Sequence, residues 1–150
     1  MKLCGIYAHT VNQIFNNMEV KIDTKEKFTV VTPIQALVSA NIAANIAEIC
    51  NIQLQKQVKN VILNLSEVSN IEVTAAQTLT ELQQKFYENN ASFVICSIQP
   101  QVEQFFEELE ILEILNITPT ESEAWDIVQM EEIERELLDS DNMEFEKGED

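Results

Sequence analysis

The residues that carry most enzyme chemistry are scarce in this chain and poorly spaced for it. The single histidine, His9, leaves no second histidine from which a Ser-His-Asp or Cys-His arrangement could be built. The two glycines, Gly5 and Gly148, lie near the two ends, which excludes a Gly-rich phosphate-binding loop. Adjacent carboxylates such as Glu107 and Glu108 point in different directions on a helix and are interpreted as solvated. We therefore predict a protein that is not an enzyme, with no catalytic residues and no cofactor.

The three cysteines, Cys4, Cys50 and Cys96, are widely separated along the chain. They show no metal-ligand spacing, and a disulfide framework in a chain of this size would need more of them. Cys50 and Cys96 lie within apolar patterns, which favours buried thiols. This cysteine usage predicts a cytoplasmic protein without a metal site.

The formal net charge of −17 is the strongest feature of the composition. It argues against nucleic acid and against an anionic membrane surface as partners, because both would be repelled. No apolar run approaches the roughly 18 residues that a membrane span requires. Of the 26 acidic residues, 13 fall within residues 121–150, where only Arg135 and Lys147 oppose them. The acidic end favours solubility, or alternatively electrostatic attraction of a basic partner.

The stretch from residue 58 to residue 86 organises the rest of the chain. It begins with an apolar run that is typical of a strand covered on both faces: Val61, Ile62, Leu63 and Leu65. It continues with apolar residues at helical spacing: Ala75, Leu79, Leu82 and Phe86. The loop between them, residues 66–73, follows the carboxyl end of the strand, where open α/β sheets build their sites. We therefore expect the functional site in this loop.

Before this stretch, residues 19–23 and 28–31 predict a β-hairpin. Ser39 is a predicted N-cap of a helix with one apolar face. That face is formed by Ile42, Ile46 and Ile49.

After the central helix, residues 92–96 predict another buried strand, and Pro100 opens a short helix. Residues 114–117 are a candidate edge strand. A capping box at residues 120–123 starts a last helix. Its predicted apolar face is Ala124, Ile127, Met130, Ile133 and Leu137.

The element order is therefore ββαβαβα(β)α, which predicts an α/β fold with a mixed β-sheet that is parallel in its middle. We assign the folded domain to residues 18–138. Residues 1–17 show no clear period, which indicates a disordered extension or an over-long start with Met18 as the true beginning. Residues 139–150 are predicted to be a disordered acidic tail.

The central stretch resembles the STAS domain, a family named for sulphate transporters and anti-sigma factor antagonists. In that family an apolar strand ends in Asp-Leu-Ser, and Asp-Ser-Ser-Gly-Leu then opens a helix. Here Asn64-Leu65-Ser66 ends the strand, and Val68-Ser69-Asn70-Ile71 matches the family's approach to the loop. The likeness extends over residues 19–138 and includes Gln99-Pro100 and the start of the last helix.

The resemblance implies a STAS-like fold and a bacterial, cytoplasmic protein–protein interaction domain that acts in signalling and the regulation of transcription. In soluble members of the family, an anti-sigma factor kinase is the partner, and it phosphorylates the first serine of Asp-Ser-Ser-Gly. For this chain the resemblance implies an anti-sigma factor or serine kinase-like regulator as the partner. The partner-binding residues that it implies are Leu37, Val38, Ser69, Asn70, Glu72, Val73, Thr74 and Gln77.

This sequence departs from the family motif at its functional positions. Asp-Ser-Ser-Gly-Leu falls on residues 72–76, so Val73 occupies the place of the phosphorylated serine. Thr74 keeps a hydroxyl at the next position, and we interpret it as a helix cap or as the candidate phosphorylation site. Ser69 is a second candidate hydroxyl. Val38 stands where the family has an aspartate before its first helix.

Two alternatives to a switched antagonist remain open from the sequence. One is a small-molecule-binding STAS-like domain, although the loop has no glycine and no basic residue for a phosphate-bearing ligand. The other is a homodimer, a scaffold without a phosphorylation switch. The last helix is its candidate interface, because Trp125, Val128 and Leu138 lie off the predicted apolar face.

Overall fold

A computed structural model of the chain describes residues 9–15 and 18–149. In chain order its strands are β1 His9–Phe15, β2 Met18–Thr24, β3 Thr29–Pro33, β4 Leu37–Val38, β5 Val61–Asn64, β6 Asn70–Ile71, β7 Phe93–Cys96 and β8 Ile117–Thr118. The described residues also form four helices, which are α1 Ala40–Leu54, α2 Val73–Glu88, α3 Pro100–Glu108 and α4 Glu121–Glu149.

Six strands form the main sheet in the spatial order β1-β2-β3-β5-β7-β8. Strands β1, β2 and β3 pair antiparallel, whereas β3, β5, β7 and β8 pair in parallel through helical crossovers. The predicted mixed sheet and hairpin are therefore confirmed. Strand β8 lies at the edge, as predicted, but it begins at Ile117 because the preceding residues form turns.

The sheet is covered on both faces because its central strands β5 and β7 are apolar in nearly every position. In β5, Val61 and Leu63 face the larger core, which contains residues of α1, α2 and α3. Ile62 points to the opposite face and packs in a smaller core with Ala124 and Val128 of α4. This alternation follows from the two-residue period of a strand. The fold therefore has three layers, with α1, α2 and α3 on one side of the sheet and α4 on the other.

The predicted helix caps and faces are largely present. Ser39 is the N-cap of α1, and its hydroxyl accepts a hydrogen bond from the Ile42 amide at 3.4 Å. Ile46 and Ile49 are buried, and Ile42 packs partly buried against the same core. The thiols of Cys50 and Cys96 are free and buried, as predicted, whereas Cys4 lies outside the described residues.

The two chain ends differ from the predicted disorder. Residues 9–15 form β1, which pairs antiparallel with β2 from His9 opposite Thr24 to Phe15 opposite Met18. The strand was not predicted because its sequence is mostly polar. An edge strand is held by backbone pairing with its neighbour more than by burial of its side chains. At the other end, α4 continues to Glu149, past the domain boundary set at residue 138. Neither proline nor glycine interrupts the chain between Pro119 and Gly148, and its glutamates and leucines favour a helix. Residues 1–8, 16, 17 and 150 lie outside the described residues.

The last helix also turns a different side to the sheet from the one predicted. Of the predicted face, Ala124 is buried and Ile127 is partly buried, but Met130, Ile133 and Leu137 are exposed. Val128 is fully buried instead, and Trp125 stacks on Phe28 with ring centroids 4.7 Å apart. The small Ala124 side chain lets the helix approach the sheet closely, and Val128 follows one turn later.

Candidate functional site

A short parallel pair of strands brings the starts of α1 and α2 together. Leu37 of β4 lies opposite Asn70 of β6, and Val38 lies opposite Ile71. Helix α1 begins two residues after Val38, and α2 begins two residues after Ile71. The positive ends of two helix dipoles therefore share one surface, at the carboxyl edge of the main sheet.

The Ala36 carbonyl oxygen organises the loop that leads into α2. It accepts hydrogen bonds from the amides of Ser69 at 2.8 Å and Asn70 at 3.0 Å. The Ser69 hydroxyl donates to the same oxygen at 3.1 Å. Three donors on one carbonyl fix the loop against β4, so the site is pre-formed by the backbone.

Glu72 links the two helix starts. Its amide donates to the Val38 carbonyl oxygen at 3.0 Å, and its carboxylate Oε1 accepts from the Ala40 amide at 3.2 Å. Glu72 is the N-cap residue of α2, but its side chain makes no capping hydrogen bond within that helix. The carboxylate instead satisfies one free amide of the neighbouring helix and lies at the positive end of its dipole.

Thr74 is not the cap that its position suggested. The N-cap is Glu72, which places Thr74 in the first turn of α2 with an exposed side chain. Its carbonyl oxygen accepts from the Thr78 hydroxyl at 3.2 Å. The hydroxyl of Thr74 is thus open to solvent at a helix start, where a phosphate would be favoured by the dipole.

Most of the implied partner-binding residues form one exposed surface. Leu37 is 46% exposed and Val73 is 47% exposed, although both are apolar. Asn70, Glu72, Thr74 and Gln77 are also exposed around them. Two exposed apolar side chains beside polar neighbours are typical of a contact surface.

Val38 and Ser69 have a supporting position. Val38 is 1% exposed and belongs to the larger core, so its side chain does not reach the surface. Ser69 is half-buried, and its hydroxyl is bound to Ala36. Both residues hold the loop in place beneath the exposed surface.

Polar side chains tie the beginning of the loop to two other helices. The Asn64 side chain accepts from the Ser66 amide at 2.9 Å and donates to Glu121 of α4 at 3.3 Å. Gln99, the N-cap residue of α3, donates to the Ser66 carbonyl oxygen at 2.9 Å. The contacts of Asn64 with Glu121 and of Gln99 with Ser66 were not predicted from the sequence, because they join residues distant in the chain.

A shallow polar cleft of about 390 Å³ lies between the loop and α3. It is lined by Ser69, Asn70, Ile71, Gln101, Gln104, Phe105 and Glu108. These residues include one carboxylate and no cation. The cleft is therefore a poor site for a phosphate-bearing ligand.

A longer groove runs between α1 and α2, away from the loop. It has a volume of about 560 Å³, and its lining mixes apolar and polar side chains: Ala44, Ala47, Glu48, Asn51, Ile52, Gln55 and, on the α2 side, Thr78. The side-chain oxygen of Asn51, which also lines the groove, is buried without a hydrogen-bond partner in the described part of the chain. An unpaired buried carbonyl oxygen is costly to the folded state.

The remaining chemistry of the described residues is structural. Burial raises the pKa of Cys50 from its ordinary value of 9.0 to about 12, so this thiol stays protonated. Burial also raises the pKa of Cys96 to about 11, against the lowering effect of a Ser97 hydrogen bond and with a further rise from the Glu121 charge. Across residues 9–15 and 18–149, no group of three His, Cys, Asp or Glu side chains is placed to hold a metal ion.

The comparisons with known proteins agree with this geometry. A family model described as the STAS domain matches residues 5–124, which is most of the chain. The chain belongs to the STAS domain family. No curated protein sequence matches it significantly.

Solved structures share the fold at low sequence identity. A Thermotoga maritima protein assigned as an anti-sigma factor antagonist is 19% identical, with a TM-score of 0.65 over 72% of this chain and 92% of that chain. The Bacillus anti-sigma factor antagonist SpoIIAA, unphosphorylated, is 15% identical, with a TM-score of 0.59 over 73% of this chain and 96% of its own. The murine Solute Carrier 26 family member A9 anion transporter is 13% identical, with a TM-score of 0.60 over 83% of this chain but 22% of the transporter.

These likenesses confirm the STAS fold, and they include both regulators and a transporter. For the STAS domain described here, none of the helices in the described residues is both long enough and apolar enough to cross a membrane.

Proposed function

We propose that this STAS domain is a non-enzymatic regulatory module of the bacterial cytoplasm that binds an anti-sigma factor or a related serine kinase-like regulator. The contact surface is the loop of residues 66–74 with the first turns of α2. The observation that carries the proposal is the exposure of Leu37 and Val73 on a backbone-fixed surface where two helices begin.

Three features support a protein partner over a small ligand. The surface is broad and partly apolar, whereas the adjacent cleft is shallow and has no cation. The groove between α1 and α2 adds a second recess, and the side-chain oxygen of Asn51 in it has no hydrogen-bond partner among the described residues. Low reorganisation is expected on binding, since the loop is already held by Ala36 and Gln99.

The substituted motif favours a binder that is not switched at the family's usual position. Val73 has no hydroxyl, so phosphorylation there is chemically impossible. Thr74 is the remaining candidate, because its side chain is exposed in the first turn of α2. A phosphate at Thr74 would gain from the helix dipoles but would meet the Glu72 carboxylate, so its effect on the complex is to weaken contacts made by Glu72.

The test is a quantitative pull-down of the full chain from the cytoplasm of its native host, read by mass spectrometry. Val73→Glu places a charge in the middle of the apolar surface, and we expect it to reduce capture of a protein with a kinase-type ATP-binding domain about tenfold or more. Tyr87→Glu is the matched control, because Tyr87 is also an exposed apolar residue of α2 but lies at its other end.

Equal capture by wild type, Val73→Glu and Tyr87→Glu would contradict the proposed surface. The same experiment with Thr74→Glu and Thr74→Val tests the switch. Phosphopeptide mapping that finds phosphate on Thr74, together with loss of the partner from Thr74→Glu alone, would show that the domain is switched one residue after the family position.

A further inference from the structure

Helix α4 has two different faces along its described length. The inner face packs Ala124 and Val128 against the sheet. Further along, polar contacts replace apolar ones: Glu131 accepts from Asn116 at 3.1 Å, and Glu132 accepts from Asn60 at 2.6 Å. These contacts hold the helix on the sheet without using the rest of its apolar residues.

The opposite side of the helix carries the apolar residues that the sheet does not use. We call Met130, Ile133 and Leu137 the outer stripe. Each is 55% or 56% exposed. Met130 and Leu137 are two turns apart, so they lie one above the other, and Val128 lies roughly 160° away around the helix. Three large exposed apolar side chains within about two turns lie side by side on this face, and such a cluster on a protein surface marks a contact site.

The charges around the outer stripe are of one sign. Glu123, Asp126 and Glu134 share its side of the helix and are exposed. Arg135 is the one cation in the described side chains of α4, and it is directed inward, where its guanidinium donates to the Ser92 hydroxyl at 3.3 Å. Among the side chains of α4 that the structure describes, no cation on the outer side therefore offsets the carboxylates.

This charge pattern decides which occupant fits the outer stripe. A second copy of the chain would place carboxylates opposite carboxylates, which opposes association. An anionic membrane surface would be repelled for the same reason. A helix with an apolar side flanked by Lys and Arg would instead bury the stripe and pair its cations with Glu123, Asp126 and Glu134.

We propose that the outer stripe of α4 is a second docking surface, and that its occupant is a basic amphipathic helix of a protein partner. The bound helix lies along α4 over roughly 16 Å, the distance from Asp126 to Leu137. It presents apolar residues at three- and four-residue spacing to Met130, Ile133 and Leu137. This surface is formed by α4 alone, so the inference does not rest on the proposed function of the loop.

The test measures binding of a labelled synthetic peptide to the full chain by fluorescence anisotropy. The probe is a helix of about 18 residues built from leucine and lysine, with its leucines on one face. The control peptide has the same composition in scrambled order, so it has the same charge but no apolar face. We expect the ordered peptide to bind about tenfold or more tightly than the scrambled one.

Matched variants locate the contact. Met130→Ser with Leu137→Ser should weaken the ordered peptide about tenfold or more, because both changed side chains belong to the outer stripe. Leu37→Ser with Val73→Ser removes a similar exposed apolar pair from the loop surface and should leave the peptide affinity unchanged. Trp125 fluorescence checks that each variant is folded, since Trp125 stacks on Phe28 on the inner side of α4.

Several outcomes would overturn the proposal. Equal affinity of the two peptides would show attraction by net charge alone, and no measurable binding of the ordered peptide would remove the docking surface. Loss of binding in the Leu37→Ser, Val73→Ser variant but not in the Met130→Ser, Leu137→Ser variant would assign the peptide to the loop. A dimer in sedimentation that Met130→Ser with Leu137→Ser abolishes would identify a second copy as the occupant.

Discussion

Helices α2 and α4 both repeat apolar residues at helical spacing, but only α2 buries its repeat. In α2 the buried residues are Ala75, Ala76, Leu79, Leu82 and Phe86. In α4 the repeat from Met130 to Leu137 faces outward. The difference arises from what each helix packs against: α2 packs in the larger core with α1 and the sheet, whereas α4 covers the other face of the sheet in the described part of the chain.

An apolar stripe in the sequence therefore predicts a helix, but it does not predict whether the stripe packs against the sheet or faces solvent. The sheet face under α4 is small and is already filled by Phe28, Ile62 and Val94. Ala124 and Val128 suffice to cover it, and hydrogen bonds to Asn60, Asn116 and Ser92 hold the remainder of the helix. The apolar residues left over remain available to a partner.

The largest effect should come from removing one apolar side chain from each helix. Leu79→Ala creates a cavity in the larger core and should lower the free energy of unfolding by about 2–5 kcal/mol. Met130→Ala changes an exposed side chain and should alter it by less than about 0.5 kcal/mol. Urea denaturation followed by Trp125 fluorescence measures both. Similar losses in the two variants would show that the outer stripe is packed in solution.

A smaller effect is expected from Asn60, which is buried and joins α4 to the sheet. Its amide nitrogen donates to the Lys27 carbonyl oxygen and to Glu132, and its oxygen accepts from the Ser92 amide. Asn60→Ala leaves these groups unpaired and should cost about 1–3 kcal/mol. Asn89→Ala, which loses one exposed contact to the Lys85 carbonyl, is the control and should cost less. Equal free energies of unfolding for the two variants would show that polar contacts do not hold α4 on the sheet.

The smallest expected effect is on the pH dependence of the free energy of unfolding, to which each core contributes one buried cysteine. Cys50 lies in the larger core with α1, and Cys96 lies in the smaller core under α4. Burial raises the pKa of Cys50 to about 12 and that of Cys96 to about 11, so an unfolded chain loses these protons first. Below the ordinary thiol pKa of 9.0 the effect is absent, and stability should fall as the pH rises from there toward the folded-state values.

The thiol contribution is isolated by comparing wild type with Cys50→Ala and Cys96→Ala. Each variant should show a shallower loss of stability in alkaline solution, with the greater change for Cys50, whose folded pKa is higher. All other side chains are common to the three chains, so the differences between them report the two thiols. Identical alkaline slopes in the three chains would mean that the thiols are not buried in the folded state.

The fold was largely predictable because its main elements carry strong local patterns. The β5 strand, the α2 helix and the strand at residues 92–96 are long apolar or periodic segments, and they appear where they were expected. Strand β1 was missed, since it is polar and depends on pairing with β2. The two-residue strands β4 and β6 were not predicted, because each is formed only by pairing with the other.

The location of the candidate site was predictable from the sequence, but its hydrogen bonds and the burial of its residues were not. The position of the loop after β5 and the resemblance of residues 64–76 to the STAS motif located it. The bond from Glu72 to the Ala40 amide, the burial of Val38 and the shift of the cap from Thr74 to Glu72 were not predictable. Each depends on how α1 and α2 are placed relative to each other, which no local pattern encodes.

By itself the sequence determined the family, the mixed sheet, the location of the loop and the absence of a hydroxyl at Val73. These follow from residue identity and from periods of two and 3.6, which are properties of neighbouring residues. The tertiary structure decided that two helix starts meet at Glu72 and that α4 turns Met130 and Leu137 outward. Those outcomes depend on contacts between residues far apart in the chain. Which side chains are buried depends on how all the helices and strands pack against the same sheet.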